Sequence, residues 1–258
     1  MPVATNVERL ASEDVTEGDG LPINELFCSL QGEGKLAGTP SVFVRTSGCN
    51  LRCWFCDSYH TSWEPTGAWL SVDDIVEEVV SYEKADHVVL TGGEPMIHEN
   101  SAQLLDELAD RGYHTTVETN GTIYRDAAID LASISPKLTN STPTQERDPK
   151  GDGEWATRHE EQRIDIDALS ELVDSYESQL KFVVTGAEDL SEINQLVQQI
   201  RKAAATTISD DDVLLMPEGV TRAELDTKRN DVAELAMEYG YRYTPRLHVD
   251  LWNDAPGT

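Results

Sequence analysis

Basic residues are scarce in this 258-residue chain: 20 Lys and Arg stand against 48 Asp and Glu, a formal net charge of -28. A surface of that sign repels polyanions and acidic headgroups, so direct binding to nucleic acid is not expected. Long apolar runs are absent too. No stretch approaches the roughly 20 residues a helix needs to cross a bilayer, which excludes a helical membrane span. No positively charged, apolar leader opens the chain, so a cytoplasmic, reducing setting is expected. Cysteine is limited to four residues, and three of them crowd together at Cys49, Cys53 and Cys56 while Cys28 stands apart. One isolated thiol cannot bridge three clustered ones without stranding two, so Cys28 reads as structural and a disulfide framework is excluded. The acidic residues recur along the whole length rather than forming one tail, a pattern suited to screening by concentrated salt. A halophilic host is the expectation.

The length suits one large α/β domain. Residues 1–22 are acidic and lack a sustained period, and are expected to be flexible, with a single domain over 23–258. Ser41 to Thr46 reads as a buried strand leading into the cysteine loop. Ser71 to Lys84 reads as a helix with Val72, Ile75, Val76, Val79 and Val80 on one face and a capping box of Ser71 and Asp74. Further strands fall near 87–90, 114–118, 131–135, 180–184 and 213–216, and further helices at 102–110 and 190–203. Strands alternating with helices imply a parallel sheet with right-handed crossovers, here an incomplete TIM-like barrel of about six parallel strands. Working residues then gather at the carboxyl ends of the strands. Residues 139–163 break the rhythm. Rich in Pro, Gly, Asp, Glu and Thr, they read as a polar insertion, either a lid or disordered. The tail from Tyr241 to Trp252 carries enough aromatic and aliphatic residues to pack down.

The cysteines are spaced Cys-Asn-Leu-Arg-Cys-Trp-Phe-Cys. Three thiolates can hold a four-iron cluster and leave one iron open to another ligand. The competing reading adds His60 to make a structural Cys3His zinc module, but the crowding and the missing second pair favour the cluster. Downstream, Thr91-Gly92-Gly93-Glu94-Pro95 follows a strand, and its paired glycines let the backbone approach a ligand.

The spacing C-x3-C-x2-C resembles the radical S-adenosylmethionine superfamily, in which the open iron binds the methionine moiety and the Gly-Gly segment receives its amino group. A closer resemblance rests on Phe27–Gly34 (Phe-Cys-Ser-Leu-Gln-Gly-Glu-Gly), Arg45–Cys53, Cys56-Asp57, Glu118–Thr122, Ser135-Pro136-Lys137, Lys181–Val184 and Met216-Pro217-Glu218-Gly219. Together these are similar to the 7-carboxy-7-deazaguanine synthases. The resemblance implies ring contraction of 6-carboxy-5,6,7,8-tetrahydropterin to 7-carboxy-7-deazaguanine with loss of ammonia, S-adenosylmethionine being regenerated. It also implies a 4Fe-4S cluster on Cys49, Cys53 and Cys56. S-adenosylmethionine contacts are implied at Phe55, Cys56, Asp57, Gly93, Ser135, Pro136, Lys137 and Met216, Pro217, Glu218 and Gly219. Substrate contacts are implied at Leu30, Gln31, Gly32, Arg45 and Thr91, and Mg2+ at Ser58, where most relatives have Thr. Glu118, ending a strand at the barrel mouth, is the candidate acid for the guanidine-like edge of the pterin. His248 matches a family segment near the site, with a satisfied core histidine as the default. Gln31 capping its own backbone, Arg45 paired with a surface acid, a solvated Lys137 and Glu118 capping the 119–122 turn stay open. A homodimer and an electron donor such as flavodoxin or ferredoxin also follow from the resemblance, and archaeosine or queuosine biosynthesis is the expected pathway. An activating enzyme that puts a glycyl radical on a protein partner is the alternative within the superfamily; it would need a further Cys-rich domain.

Overall fold

The computed structural model describes residues 3–11, 15, 16, 18–253 and 255. Its strands are β1 (Val3–Thr5), β2 (Gly20–Leu30), β3 (Pro40–Thr46), β4 (Ala68–Ser71), β5 (His87–Gly92), β6 (His114–Thr119), β7 (Leu131–Ile134), β8 (Ser178–Val184), β9 (Val213–Pro217) and β10 (Arg242–Tyr243). Its helices are α1 (Tyr59–Ser62), α2 (Val72–Val80), α3 (Asn100–Asp110), α4 (Trp155–Gln162), α5 (Ile166–Ser175), α6 (Leu190–Ala203), α7 (Arg222–Tyr239) and α8 (Leu247–Trp252). The sheet runs β1-β2-β3-β5-β6-β7-β8-β9-β10, with β4 paired to β2 off this path. Pairing is parallel from β3 through β10 and antiparallel at β1, β2 and β4. The sheet is therefore open, as expected of an incomplete barrel. Its six long parallel strands are those read from the sequence, and the short β10 follows them.

Alternation along each strand sorts side chains between two faces. Val42 and Val44 of β3, Val88 and Leu90 of β5, Val117 of β6 and Leu180, Phe182 and Val184 of β8 join the large core with the helices. Their neighbours point the other way. Ser41, His87 and Thr116 form a hydrogen-bonded layer (Ser41 Oγ to His87 Nδ1 2.6 Å, His87 Nε2 to Thr116 Oγ1 2.7 Å). Phe43 stacks on Phe27 above it, ring centroids 5.0 Å apart. The next residues on this face, Arg45, Thr91 and Glu118, end their strands at the rim. Register completes the arrangement, since Arg45 lies opposite Thr91 across β3 and β5.

Three expectations change. The acidic opening is partly built in: β1 pairs with β2, and Val7 is buried in the core. An edge strand supplies the hydrogen bonds that the local sequence pattern did not announce. Helix α2 starts where its cap predicts, Ser71 Oγ accepting from Asp74 N at 3.1 Å, but stops at Val80. The 139–163 segment is not a plain loop, because it contains α4, whose one buried residue is His159. No helix among the described residues is long and apolar enough to cross a membrane.

Candidate active site

A cavity of about 610 Å³ opens at the carboxyl ends of the strands, lined by Cys49, Cys53 and Cys56 on one side and by Arg45, Thr91, Glu118 and Lys181 on its floor. The cysteine loop leaves β3 and is tied to the turn after β5. Glu94 N donates to Gly48 O (2.9 Å) and Gly93 N to Thr46 O (3.2 Å). A Cβ on Gly93 would lie 2.1 Å from Gly48 O, so only glycine permits the two loops to touch. Glu94 is fully buried and locks this junction to β6, accepting from Met96 N (3.1 Å), Thr119 Oγ1 (2.8 Å) and Asn120 N (2.6 Å). Asn120 continues the chain to the cysteine loop, its Nδ2 donating to Asn50 Oδ1 at 2.9 Å.

Burial raises all three thiols, Cys53 to about 12. Two of the sulfurs nevertheless face a donor: Leu51 N at 3.4 Å for Cys49 and Ser62 Oγ at 3.2 Å for Cys56. Donors aimed at sulfur suit thiolates, and metal coordination deprotonates a thiol outright. The donor set therefore fits an iron–sulfur cluster. The zinc alternative would need His60 as its fourth ligand, and that residue is exposed on α1.

On the cavity floor, Glu118 accepts from Thr91 Oγ1 (2.8 Å) and Gln31 Nε2 (3.2 Å), with Lys181 Nζ 3.8 Å away. The backbone-capping role left open for Glu118 belongs instead to Asn120 and Thr119, which accept from the N–H groups of Thr122 and Gly121. Gln31 also caps its own backbone, its Oε1 accepting from Glu33 N at 3.1 Å. Arg45 reaches Ser58 Oγ with Nη1 (2.7 Å) and pairs through Nε with the half-exposed Glu25 (2.9 Å). Lys137 is not simply solvated: its Nζ donates to Ser135 Oγ at 2.8 Å. Leu30, Gly32, Phe55, Asp57, Ser58, Gly93, Ser135, Lys137, Met216, Glu218 and Gly219 all line the cavity, whereas Pro136 and Pro217 do not.

An ion network beneath the cavity went unassigned in the sequence. Glu33 bonds Lys181 and Arg246 (Arg246 Nε to Oε1 2.9 Å), and Arg246 also grips Asp57 and donates to Gly219 O at 2.6 Å. Burial opposes charge on Glu33, but the two cations prevail and hold its carboxyl well below the usual range. Asp57 is lowered likewise, Arg246 overcoming burial. The signal was a lysine inside the apolar run Leu180–Val184. His248 stands over the Leu30–Gly32 turn, so close that a Cβ on Gly32 would meet its Nδ1 at 1.9 Å; burial lowers its pKa.

Residues 43–139 match the Radical SAM superfamily. The 7-carboxy-7-deazaguanine synthase of Halobacterium salinarum is 70% identical over the full length of both chains. The chain belongs to the 7-carboxy-7-deazaguanine synthases. The synthase of Rhodopirellula baltica is 44% identical over 92% of this chain and 89% of its own. The crystal structure of QueE from Escherichia coli shares the fold, with a TM-score of 0.59 over 88% of this chain and 94% of that one at 24% identity. Membership makes the protein a radical S-adenosylmethionine lyase that uses a 4Fe-4S cluster and S-adenosylmethionine. The activating-enzyme alternative gives way to it.

Proposed function

We propose that the cavity contracts 6-carboxy-5,6,7,8-tetrahydropterin to 7-carboxy-7-deazaguanine with release of ammonia, in archaeosine or queuosine biosynthesis, with Cys49, Cys53 and Cys56 as the cluster ligands. The cluster and S-adenosylmethionine together supply the 5′-deoxyadenosyl radical that takes a hydrogen from the pterin. Every other requirement falls on side chains. Arg45 forks onto the substrate carboxylate, a planar match that lysine cannot make. Glu118, held by Thr91 and Gln31, accepts from the guanidine-like edge at the opposite end of the ring. The observation that carries this reading is the pair Arg45 and Glu118, opposite charges facing one cavity that also holds three cysteine sulfurs. Phe55, Asp57, Gly93, Ser135, Lys137 and the Met216–Gly219 turn surround the S-adenosylmethionine position. A Mg2+ ion would use Ser58 Oγ and neutralise the substrate carboxylate, once Arg45 turns from the hydroxyl. An electron donor such as flavodoxin or ferredoxin, a homodimeric state and a salt-rich cytoplasm complete the proposal.

The test is anaerobic reconstitution followed by turnover of the carboxypterin with and without Mg2+. Arg45→Met is expected to raise KM for the carboxypterin while leaving an analogue without the 6-carboxylate unaffected. Glu118→Gln is expected to weaken both. Cys53→Ala, with the brown colour lost, serves as the control, and equal losses for both pterins in Arg45→Met would refute the assigned orientation.

A further inference from the structure

Five charged side chains of alternating sign, Glu118, Lys181, Glu33, Arg246 and Asp57, line the cavity in one connected row. Lys181 Nζ lies 3.8 Å from Glu118 Oε1 and bonds Glu33 Oε2, while Glu33 Oε1 accepts from Arg246 Nε at 2.9 Å. Arg246 Nη2 grips Asp57, the residue after Cys56, and Nη1 donates to Gly219 O at 2.6 Å. Both cations are withdrawn from water, Lys181 with 5% and Arg246 with 7% of the side chain exposed. Burial opposes their charge, but the carboxylates prevail and hold both pKa values up.

The backbone around Arg246 is fixed to one of the segments its side chain serves. Gly34 N donates to Thr244 Oγ1 (2.7 Å) and Leu247 N to Gly32 O (2.9 Å), so the 32–34 turn and the root of the Arg246 side chain move together. The guanidinium is a rigid planar fork. It therefore holds the 32–34 turn, the cysteine loop and the 216–219 turn in one relation, and a displacement of any one is felt by the other two. At the other end of the row Lys181 is shared between two carboxylates. A ligand that donates to Glu118 competes with Lys181 there and drives the ammonium onto Glu33. Glu33 then fixes the Arg246 fork, and a second ligand meets a wall that is already ordered.

We propose that this row couples the two halves of the cavity, so that a pterin engaged at Glu118 tightens the binding of S-adenosylmethionine at Asp57 and Gly219, and the reverse by an equal factor. The proposal rests on the pterin lying at Glu118 and S-adenosylmethionine at Asp57 and Gly219. Lys181 and Arg246 are positioning residues, and neither takes part in the bond changes.

The experiment is isothermal titration calorimetry on full-length, anaerobically reconstituted enzyme with the cluster left oxidised, so that neither ligand is consumed. S-adenosylmethionine is titrated with and without saturating carboxypterin, and the carboxypterin with and without S-adenosylmethionine. In the wild type each ligand is expected to tighten the other about fivefold or more, by the same factor in both directions. Arg246→Lys, which keeps the charge and loses the fork, and Lys181→Met, which cuts the row at the pterin end, are expected to bring that factor to unity. A role confined to holding the fold would weaken each ligand and leave the factor at its wild-type value; that result in folded, iron-loaded variants overturns the proposal. A wild-type factor of unity with both ligands bound overturns it as well. Should Arg246→Lys lose its iron, Lys181→Met decides: a factor of unity upholds the proposal, and the wild-type factor overturns it. Wild-type affinity for the carboxypterin in Glu118→Gln refutes the placement of the ligands itself, an outcome separable from the others.

Discussion

Glu33 and Glu94 occupy matching places, each beside glycine in a turn that follows a strand, each withdrawn from water, and their pKa values are pushed in opposite directions. Burial dominates at Glu94: its partners are two backbone N–H groups and a hydroxyl, and its pKa is raised. Burial acts on Glu33 as well, but Lys181 and Arg246 outweigh it. Neutral dipoles at Glu94 join three loops and only partly offset its burial. Cations at Glu33 keep it charged and keep themselves fixed at the cavity wall. The difference separates a carboxylate that holds backbone from one that holds charge.

The comparison breaks most visibly at Glu33. Glu33→Ala leaves Lys181, 5% exposed as a side chain, without its main partner, and should cost on the order of 4 kcal/mol in denaturant unfolding. Adding Lys181→Met should restore part of that loss, because the stranded charge is gone. A smaller effect is expected at Glu94. Glu94→Gln keeps the shape but turns a donor toward Thr119 or Asn120, costing about 2 kcal/mol; if this variant proved the less stable of the two, the contrast would be wrong. The smallest effect is in the pH dependence. Glu33 has a folded pKa below its ordinary 4.5, so its contribution is complete above that pH and fades as the pH falls further. Glu94, raised above 4.5, does the reverse and favours the fold as it takes up a proton. Glu33→Gln should therefore flatten the acid limb of stability below pH 4.5, by at most roughly 1.4 kcal/mol per pH unit, and Glu94→Gln should leave that limb as steep or steeper.

What the sequence disclosed follows from distance along the chain. The cysteine loop, the Gly92-Gly93 turn and the strands that aim Arg45, Thr91 and Glu118 are local patterns of spacing and alternation, and each lies where it was expected. The Glu33–Arg246 and Lys181–Glu33 pairs join residues 213 and 148 positions apart, and no local pattern announces such a pairing. Composition misread the 139–163 segment for another reason. Its polarity is real, but α4 turns a single histidine inward, and averaging over the segment hides one residue. The acidic opening was misread because an edge strand takes its stability from β2, a partner that its own sequence does not contain.

Helix α8 lies across the Gly32 turn, Leu247 N donating to Gly32 O at 2.9 Å, and Val249, Asn253 and Ala255 border the cavity. The helix therefore ties the Gly32 turn to the rim of the cavity, and a bulkier side chain at Val249 would be felt at both.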